Sequence, residues 1–508
     1  MKTRPRSAST LMVPAFILMS SPVLAQAADP DWNVRLKRLE EANARLQAEV
    51  QALREQAAAQ AAAPIPVPSP QAAPAAASAP DDLTLAAAPV AASAPVPRQT
   101  IGLSPTYSRA ILEHTEGVND RTLIQLRARR DGQLDNTVTV SGRVVVIGDF
   151  HHSNRANKFG YLMRHPTGNN QRTFDTQEIT VNSAQLAFTF NPHPDFTGYV
   201  EMLYDPEQSF GAGTLTALTR NQVQVRKAYM LWGNLAKRPI YAAAGKLDVP
   251  FGLQDSVSPF SNSSVWHAFA PLAYGGLLGY YDGSLSLRGM AVVGGAQFRS
   301  ANMPVDGTAV PSKLNNFAID GSYTVRISPD TSFMAGASYL RGSAYCQPYP
   351  VQHFGACSVA VPAWSVYGRL DAGRLRLIGE LSRTTRIWPG TRVPDPNNPL
   401  SLFPASRVSA FTVGARYRPK LVDGLRVSAE YSKFIPGAVG SPWHRQDQLT
   451  LGLAQQLGET IELFGEYVRV KGFVPLNFLS GGNFPDGSTW SDQDAKSRVV
   501  VVGVKAGF

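Results

Sequence analysis

Three scarcities bound this 508-residue chain before any motif is considered. Two cysteines are too few for a disulfide-built scaffold or a zinc ribbon. Charged side chains make up 17%, against about 25% in an ordinary soluble domain. Past residue 30 there is no apolar run of eighteen residues, which excludes a bundle of transmembrane helices. The eight histidines adopt no zincin spacing, and no phosphate-binding, dinucleotide-binding or nucleophile-elbow motif is present. The expectation is therefore no enzyme, no cofactor and no metal. Nothing resembles a nucleic-acid-binding module either. What remains is an all-β chain whose apolar residues alternate with polar ones.

The N-terminus sets the compartment. Lys2, Arg4 and Arg6 precede a mostly apolar stretch over 10–24, and Ala25, Ala27 and Ala28 offer a cleavage site. Residues 1–27 read as a secretory signal. Cys346 and Cys357 then lie in an oxidising space, where a loop disulfide is expected and two free thiols are the alternative. In 28–56, Trp32, Leu39, Leu46 and Leu53 recur every seven residues, with Leu36, Asn43 and Val50 in the second register. That pattern is the seam of a short coiled coil with Asn43 at an a site, and so of a homo-oligomer. A solvated single helix is the alternative. Residues 57–100 are mostly Ala and Pro and read as an extended linker. Residues 101–137 are left as an unclear periplasmic segment in which 122–129 could form a strand.

From 138 to 508 the chain changes character. Sixteen segments alternate with period two: 138–150, 178–190, 196–205, 221–232, 239–247, 272–281, 284–297, 314–327, 331–342, 361–371, 373–386, 406–418, 424–434, 445–457, 459–470 and 496–508. Their lengths suit strands that cross a bilayer better than the strands of a sandwich. Short connections such as 191–195, 282–283 and 328–330 follow every even segment, and long ones such as 151–177, 248–271 and 471–495 follow every odd segment. Short turns on one side and long loops on the other imply a sixteen-stranded antiparallel transmembrane β-barrel of an outer membrane. Aromatics near the segment ends, among them Phe190, Phe196, Tyr241, Phe333, Tyr417 and Phe508, would form one interfacial girdle. Lys227 and Arg469 fall on the apolar parity, so a bulge or a misread register is expected at each.

Parity also nominates inward residues. Arg143, Arg226, Lys246 and Arg288 fall on the earlier strands; Asp320, Glu380, Glu430 and Glu466 on the later ones. Walls of opposite sign lining a channel would set up a transverse field; charges that merely solvate a wet wall are the alternative. Arg326, Arg369, Arg376, Arg416, Arg426 and Lys505 would form a basic rim on the short-turn side. Residues 101–508 carry a net charge of +9, which suits anionic solutes and the phosphates of lipopolysaccharide.

Specific motifs carry a resemblance. Leu123, Ile124, Gln125, Leu126 and Arg127, then Asp131, Gly132, Gln133 and Leu134, then Val140, Ser141 and Gly142, are similar to the start of the barrel in the LbtU-type siderophore porins. Ala228, Tyr229, Met230, Leu231, Trp232, Gly233, Asn234 and Leu235, with Ala244, Gly245 and Lys246 and with Val249, Pro250, Phe251 and Gly252, resemble the same family. The Pro-Phe-Gly turn also resembles that of phosphate-selective porins of the O and P type. The resemblance implies an outer-membrane porin, a trimer, that passes a small solute, a ferric siderophore in the first family and phosphate or another anion in the second. A barrel that ties the outer membrane to a periplasmic partner is the reading of another class. The resemblance further implies that loop 248–271 folds inward as a constriction, carrying Asp248, Pro250, Phe251, Gly252, Asp255, Trp266 and His267.

Overall fold

A computed structural model describes residues 100–156, 158–163, 173–204, 223–293, 314–346, 360–387, 403–474 and 491–508. The signal, the coiled-coil seam, the linker up to residue 99, and Cys357 lie outside the described residues.

The chain enters through a short strand, β1 (Ile101–Leu103), and two helices, α1 (Pro105–Leu112) and α2 (Arg121–Arg130). Sixteen strands follow. The first eight are β2 (Val138–Ser153), β3 (Asp175–His193), β4 (Phe196–Tyr204), β5 (Val223–Gly233), β6 (Ile240–Asp248), β7 (Leu272–Tyr281), β8 (Leu285–Val293) and β9 (Asn316–Ser328). The rest are β10 (Thr331–Leu340), β11 (Ala363–Ala372), β12 (Leu375–Thr384), β13 (Ser409–Tyr417), β14 (Leu425–Ile435), β15 (Gln446–Leu457), β16 (Ile461–Phe473) and β17 (Asp492–Gly507). A one-turn helix, α3 (Ser264–Phe269), lies between β6 and β7. Each strand from β2 pairs antiparallel with the next, and β17 returns to β2, with Val501 opposite Asp149. Closure leaves no free edge. β1 adds a parallel pairing to the start of β2, Ile101 opposite Val138. It is the one strand that alternation missed, being three residues long.

The wall is inverted relative to a soluble protein. On β15, Leu449, Leu451 and Leu453 are exposed outward while Gln448 and Thr450 are buried inward. Val144, Phe150, Leu278, Leu287, Ile319, Val413, Val500 and Val502 continue the exposed apolar surface around the barrel. This is the side-chain order of a barrel that meets hydrocarbon outside and polar groups within. Phe190, Phe196, Phe333, Tyr417 and Phe508 are exposed near the short-turn end.

Three expectations change. On β6, Tyr241, Ala243 and Leu247 are buried and Ile240 is exposed. Tyr241 is thus inside rather than in the girdle. Lys246 is outside, opposite the exposed Tyr274, with its Nζ 3.0 Å from the Val225 carbonyl oxygen. The whole strand is read one residue out of phase, because Ala242, Ala243, Ala244 and Gly245 give alternation nothing to grip. A β-bulge does occur at Lys227: Glu201 faces Lys227 while Met202 faces Val225, so Arg226 is the extra residue. Arg469, however, stays on the exposed face with its register intact, opposite Arg498. Finally, 122–129 is helix rather than strand. Leu123 and Leu126, three apart, are buried together, and Arg127, Arg129 and Arg130 in the last turn suit the negative end of a helix.

Candidate functional site

Two inserts occupy the inside of the barrel, and both are built from short polar segments that the wall holds by hydrogen bonds. The first is residues 105–130. Pro105 starts α1 at a position where its missing N–H costs nothing. The helix then buries Tyr107, Ile111 and Leu112 among the inward residues Ala187, Tyr199 and Tyr229. The Tyr107 hydroxyl lies 2.7 Å from Thr189 Oγ1, Ser108 donates to Ser141 at 2.8 Å, and Tyr229 donates to Gln125 at 3.1 Å. Arg129 donates to Thr197 Oγ1 at 2.6 Å. The segment left open as 101–137 is therefore largely a plug inside the barrel, and its polar face is satisfied by the wall.

The second insert is the loop between β6 and β7. Every residue from Val249 to Phe269 is buried. The loop begins at Pro250, Phe251 and Gly252, and Gly252 sits at φ +73. A Cβ there would lie 2.0 Å from Glu380 Oε1, so the turn requires glycine on two grounds, dihedral and space. The Gly252 amide donates to Ser338 Oγ at 2.8 Å. Gln254, the one non-glycine residue at positive φ among the described residues, is held at φ 62. Its amide donates to Glu380 Oε2 at 2.8 Å.

Three acidic residues of the later strands, Glu380, Glu430 and Glu466, are the loop's anchors, while Asp320 holds wall residues. Glu430 accepts from the Val257 amide at 2.9 Å and from Ser256 Oγ at 2.8 Å. Glu466 accepts from the Phe260 amide at 2.7 Å and the Ser261 amide at 3.0 Å. Asp320 accepts from Arg288 Nη2 at 2.6 Å, and also from Ser338 and Tyr367. All four are buried. Of the earlier strands, Arg143 and Arg288 are equally engaged, and Arg226 reaches Glu201 Oε1 at 3.4 Å. Seven of the eight residues expected inside thus do lie inside, Lys246 being outside. The acidic ones form no free wall, because main-chain amides, hydroxyls and guanidinium groups already engage each of them, although Glu430 Oε1 is buried without a hydrogen-bond partner. The transverse field read from parity is lost on both sides, because the inward arginines are paired as fully as the carboxylates.

Asp248 ends β6 rather than belonging to the loop, and accepts from Lys227 Nζ at 2.6 Å. Asp255 accepts from the Val118 amide at 3.2 Å. Burial pushes Asp255 up to about 7, against the pull of Arg369. Trp266 and His267 lie on α3, stacked edge to face at 4.9 Å between centroids. Cys346 is disulfide-bonded.

The two inserts also grip each other. Asn119 Nδ2 donates to the Phe251 and Gly252 carbonyls at 2.8 and 2.6 Å. The Ser256 amide donates to the Thr115 carbonyl at 2.7 Å, and Asn262 Nδ2 to the His114 carbonyl at 2.8 Å. His114 lies 2.8 Å from the Phe260 carbonyl oxygen. Burial lowers its pKa to about 3, so the ring is neutral.

The plug's acids meet the basic rim. Glu113 pairs with Arg143 at 2.9 Å and Lys505 at 3.4 Å. Glu116 pairs with Arg376 and Arg416 and lies 4.0 Å from Arg426. Asp120 pairs with Arg288 at 3.1 Å. Burial would raise these carboxylates, but the cations beside them outweigh it: Glu113 is held well below the usual range and Glu116 at about 2. From β2 and β17, through β8, to β12 and β13, the short stretch 113–120 is tied to walls on opposite sides of the barrel. None of Glu113, Glu116 and Asp120 was singled out by sequence, since all precede the first spanning strand. The rule that buried charges need partners could have matched them to the rim.

No family model and no curated protein matches the sequence. Among solved structures the chain is similar to the outer membrane channel DcaP of Acinetobacter baumannii, at 15% identity and a TM-score of 0.44, over 73% of this chain and 97% of that one. It is similar to an anion-selective porin from Comamonas acidovorans at 13% identity and 0.45, over 73% and 99%. The Pseudomonas putida OprB structure gives 10% and 0.44, over 75% and 96%.

Proposed function

We propose that the protein is an outer-membrane porin: a passive channel for small polar solutes, favouring anions, whose plug and constriction loop fill its interior. One observation carries the reading. A closed sixteen-stranded wall presents leucine, valine and isoleucine outward and serine, threonine, glutamine and paired charges inward, an order that makes sense only with lipid outside and a wet path within. The anionic preference rests on the net charge of +9 over residues 101–508 and on the arginine-rich rim; it favours the phosphate- or anion-selective resemblance over the siderophore one. The coiled-coil seam at Leu39, Leu46 and Leu53 would make it a homo-oligomer, a trimer by analogy with other porins. Its N-terminal segment would lie in the periplasm and its outer face among lipid and lipopolysaccharide.

Purified full-length protein in planar bilayers tests this, with reversal potentials under a KCl gradient. Discrete conductance steps with a modest anion bias are expected. A barrel that inserts but never conducts would sink the channel reading and leave the membrane tether. Swelling of proteoliposomes in phosphate, dicarboxylates, sugars and a ferric siderophore ranks the solutes.

A further inference from the structure

Three arginines cluster on neighbouring strands at the rim, two of them in register and the third, Arg426, two residues beyond Ser428, which faces Arg416. Arg376 on β12 lies directly opposite Arg416 on β13, and Arg426 is on β14. Like charges directly opposite on a sheet repel, so their placement needs an anion between them. The anion present is Glu116, which belongs to the plug and not to the wall. Arg416 is 4% exposed and takes the Glu116 carboxylate with both terminal nitrogens, Nη2 at 3.1 Å from Oε2. This two-nitrogen grip is the geometry arginine uses for carboxylate and phosphate. Arg376 and Arg426 have wall partners of their own in Asp371 and Glu462; the ion pair of Arg416 is with Glu116. Glu116 itself remains 26% exposed beside a cavity of ≈ 710 Å³ lined by Arg109, Arg374, Arg418 and, of the triad, Arg426, with Glu113, Asp423 and Glu462 as its other acids. Arg418 is held below the usual guanidinium range by burial and by Arg416 and Arg376 beside it. Gly117, next along the chain, sits at φ +60, immediately before a 3₁₀ turn over Val118–Asp120.

We propose that Arg376, Arg416 and Arg426 form a binding site for an oxyanion group of a small polyanionic solute, and that Glu116 is a built-in occupant which the solute displaces, freeing the plug. The proposal rests on the channel reading for its purpose but not for its test. The wall supplies the site and the plug supplies the competitor, so removing the competitor strengthens binding. Because Glu116 is also one of the plug's ties to the wall, its displacement by solute loosens the plug where it meets β12, β13 and β14. A single oxyanion on a small monovalent acid cannot both fill the triad and reach Arg418 or Arg374 across the cavity; a polyanion can.

Calorimetry on the full chain in detergent tests the site, with citrate, inorganic phosphate and acetate as probes. Citrate or phosphate should bind Glu116→Gln about ten-fold more tightly than wild type, acetate detectably to neither, and Arg416→Gln should lose the binding. Glu116→Gln is isosteric, and resistance of the barrel to heat in detergent confirms folding of each variant. The double variant Glu116→Gln with Arg416→Gln should also fail to bind, which separates loss of the site from the burden of an unpaired Glu116. Unchanged affinity in Glu116→Gln, or binding retained in the double variant, overturns the site. Binding that behaves as expected in a barrel that never conducts would instead overturn the channel reading and leave the site standing.

Discussion

Glu466 on β16 receives the main-chain amides of Phe260 and Ser261, 2.7 and 3.0 Å away and some 205 residues earlier in the chain. With Glu380 and Glu430 it makes a row of carboxylates that hold the loop by its backbone. Each such bond contributes about 0.5–1.5 kcal/mol, and a buried amide left without its partner costs about 1–3 kcal/mol. Replacing Glu466 by Ala leaves two buried amides unpaired, so the loop should leave the wall at that point. The expected outcome is a two-fold or greater rise in single-channel conductance with little change in ion selectivity. A large shift in reversal potential at constant conductance would mean that Glu466 faces the permeating ions instead.

Gly252 gives the Pro-Phe-Gly turn its physical meaning. An alanine there bears the left-handed penalty of about 1–2 kcal/mol and displaces the Glu380 carboxylate. Gly252→Ala should therefore lower the unfolding temperature of the barrel in detergent and raise the current noise. Gln254→Gly, which removes a side chain from positive φ, should cost less than 1 kcal/mol despite the lost Phe251 contact.

Acid should release the plug, but only well below neutrality. Glu116 is depressed to about 2 from 4.5, so its contribution to docking is complete above 4.5 and is lost as pH falls toward 2. Asp255 works the other way: its value is raised to about 7 from 3.8. Its protonation between 7 and 3.8 favours the docked loop, and that contribution fades as pH rises through 7. Conductance should stay level or fall slightly from pH 7 to 5 and climb below 4.5. In Glu116→Gln the acid rise should shrink; an identical rise would locate the acid trigger elsewhere, Glu113 being the next candidate.

Strand polarity fixes sidedness. Gly440 is exposed in the connection between β14 and β15, and Gly283 in the turn between β7 and β8, at opposite ends of the barrel. Cysteine at Gly440 should react with an impermeant maleimide on intact cells; cysteine at Gly283 should react only after lysis. Labelling in the reverse order would invert the barrel.

The number of spanning strands was legible because period-two alternation is strong wherever one face meets lipid and the other water. Each of the sixteen observed strands overlaps its expected range, and the alternation of short and long connections holds throughout. The signal failed where side chains were too small to alternate, on β6, and there a single slip misplaced both Tyr241 and Lys246. It failed again at 122–129, where a short amphipathic helix with Leu123 and Leu126 buried reads much like a strand. The inward parity of Glu380, Glu430 and Glu466 was correct, yet their partners were not predictable. The amides of Gln254, Val257, Phe260 and Ser261 carry no side-chain signature, and a backbone donor can be matched to its acceptor only once the chain has folded. The same holds for Glu116. Its sequence neighbours say nothing about arginines 260 and 300 residues away. Sequence alone thus determined the wall, because a membrane imposes its chemistry locally, residue by residue. What fills the wall was decided by tertiary structure, because buried charges and amides find partners by position in space and not by spacing along the chain.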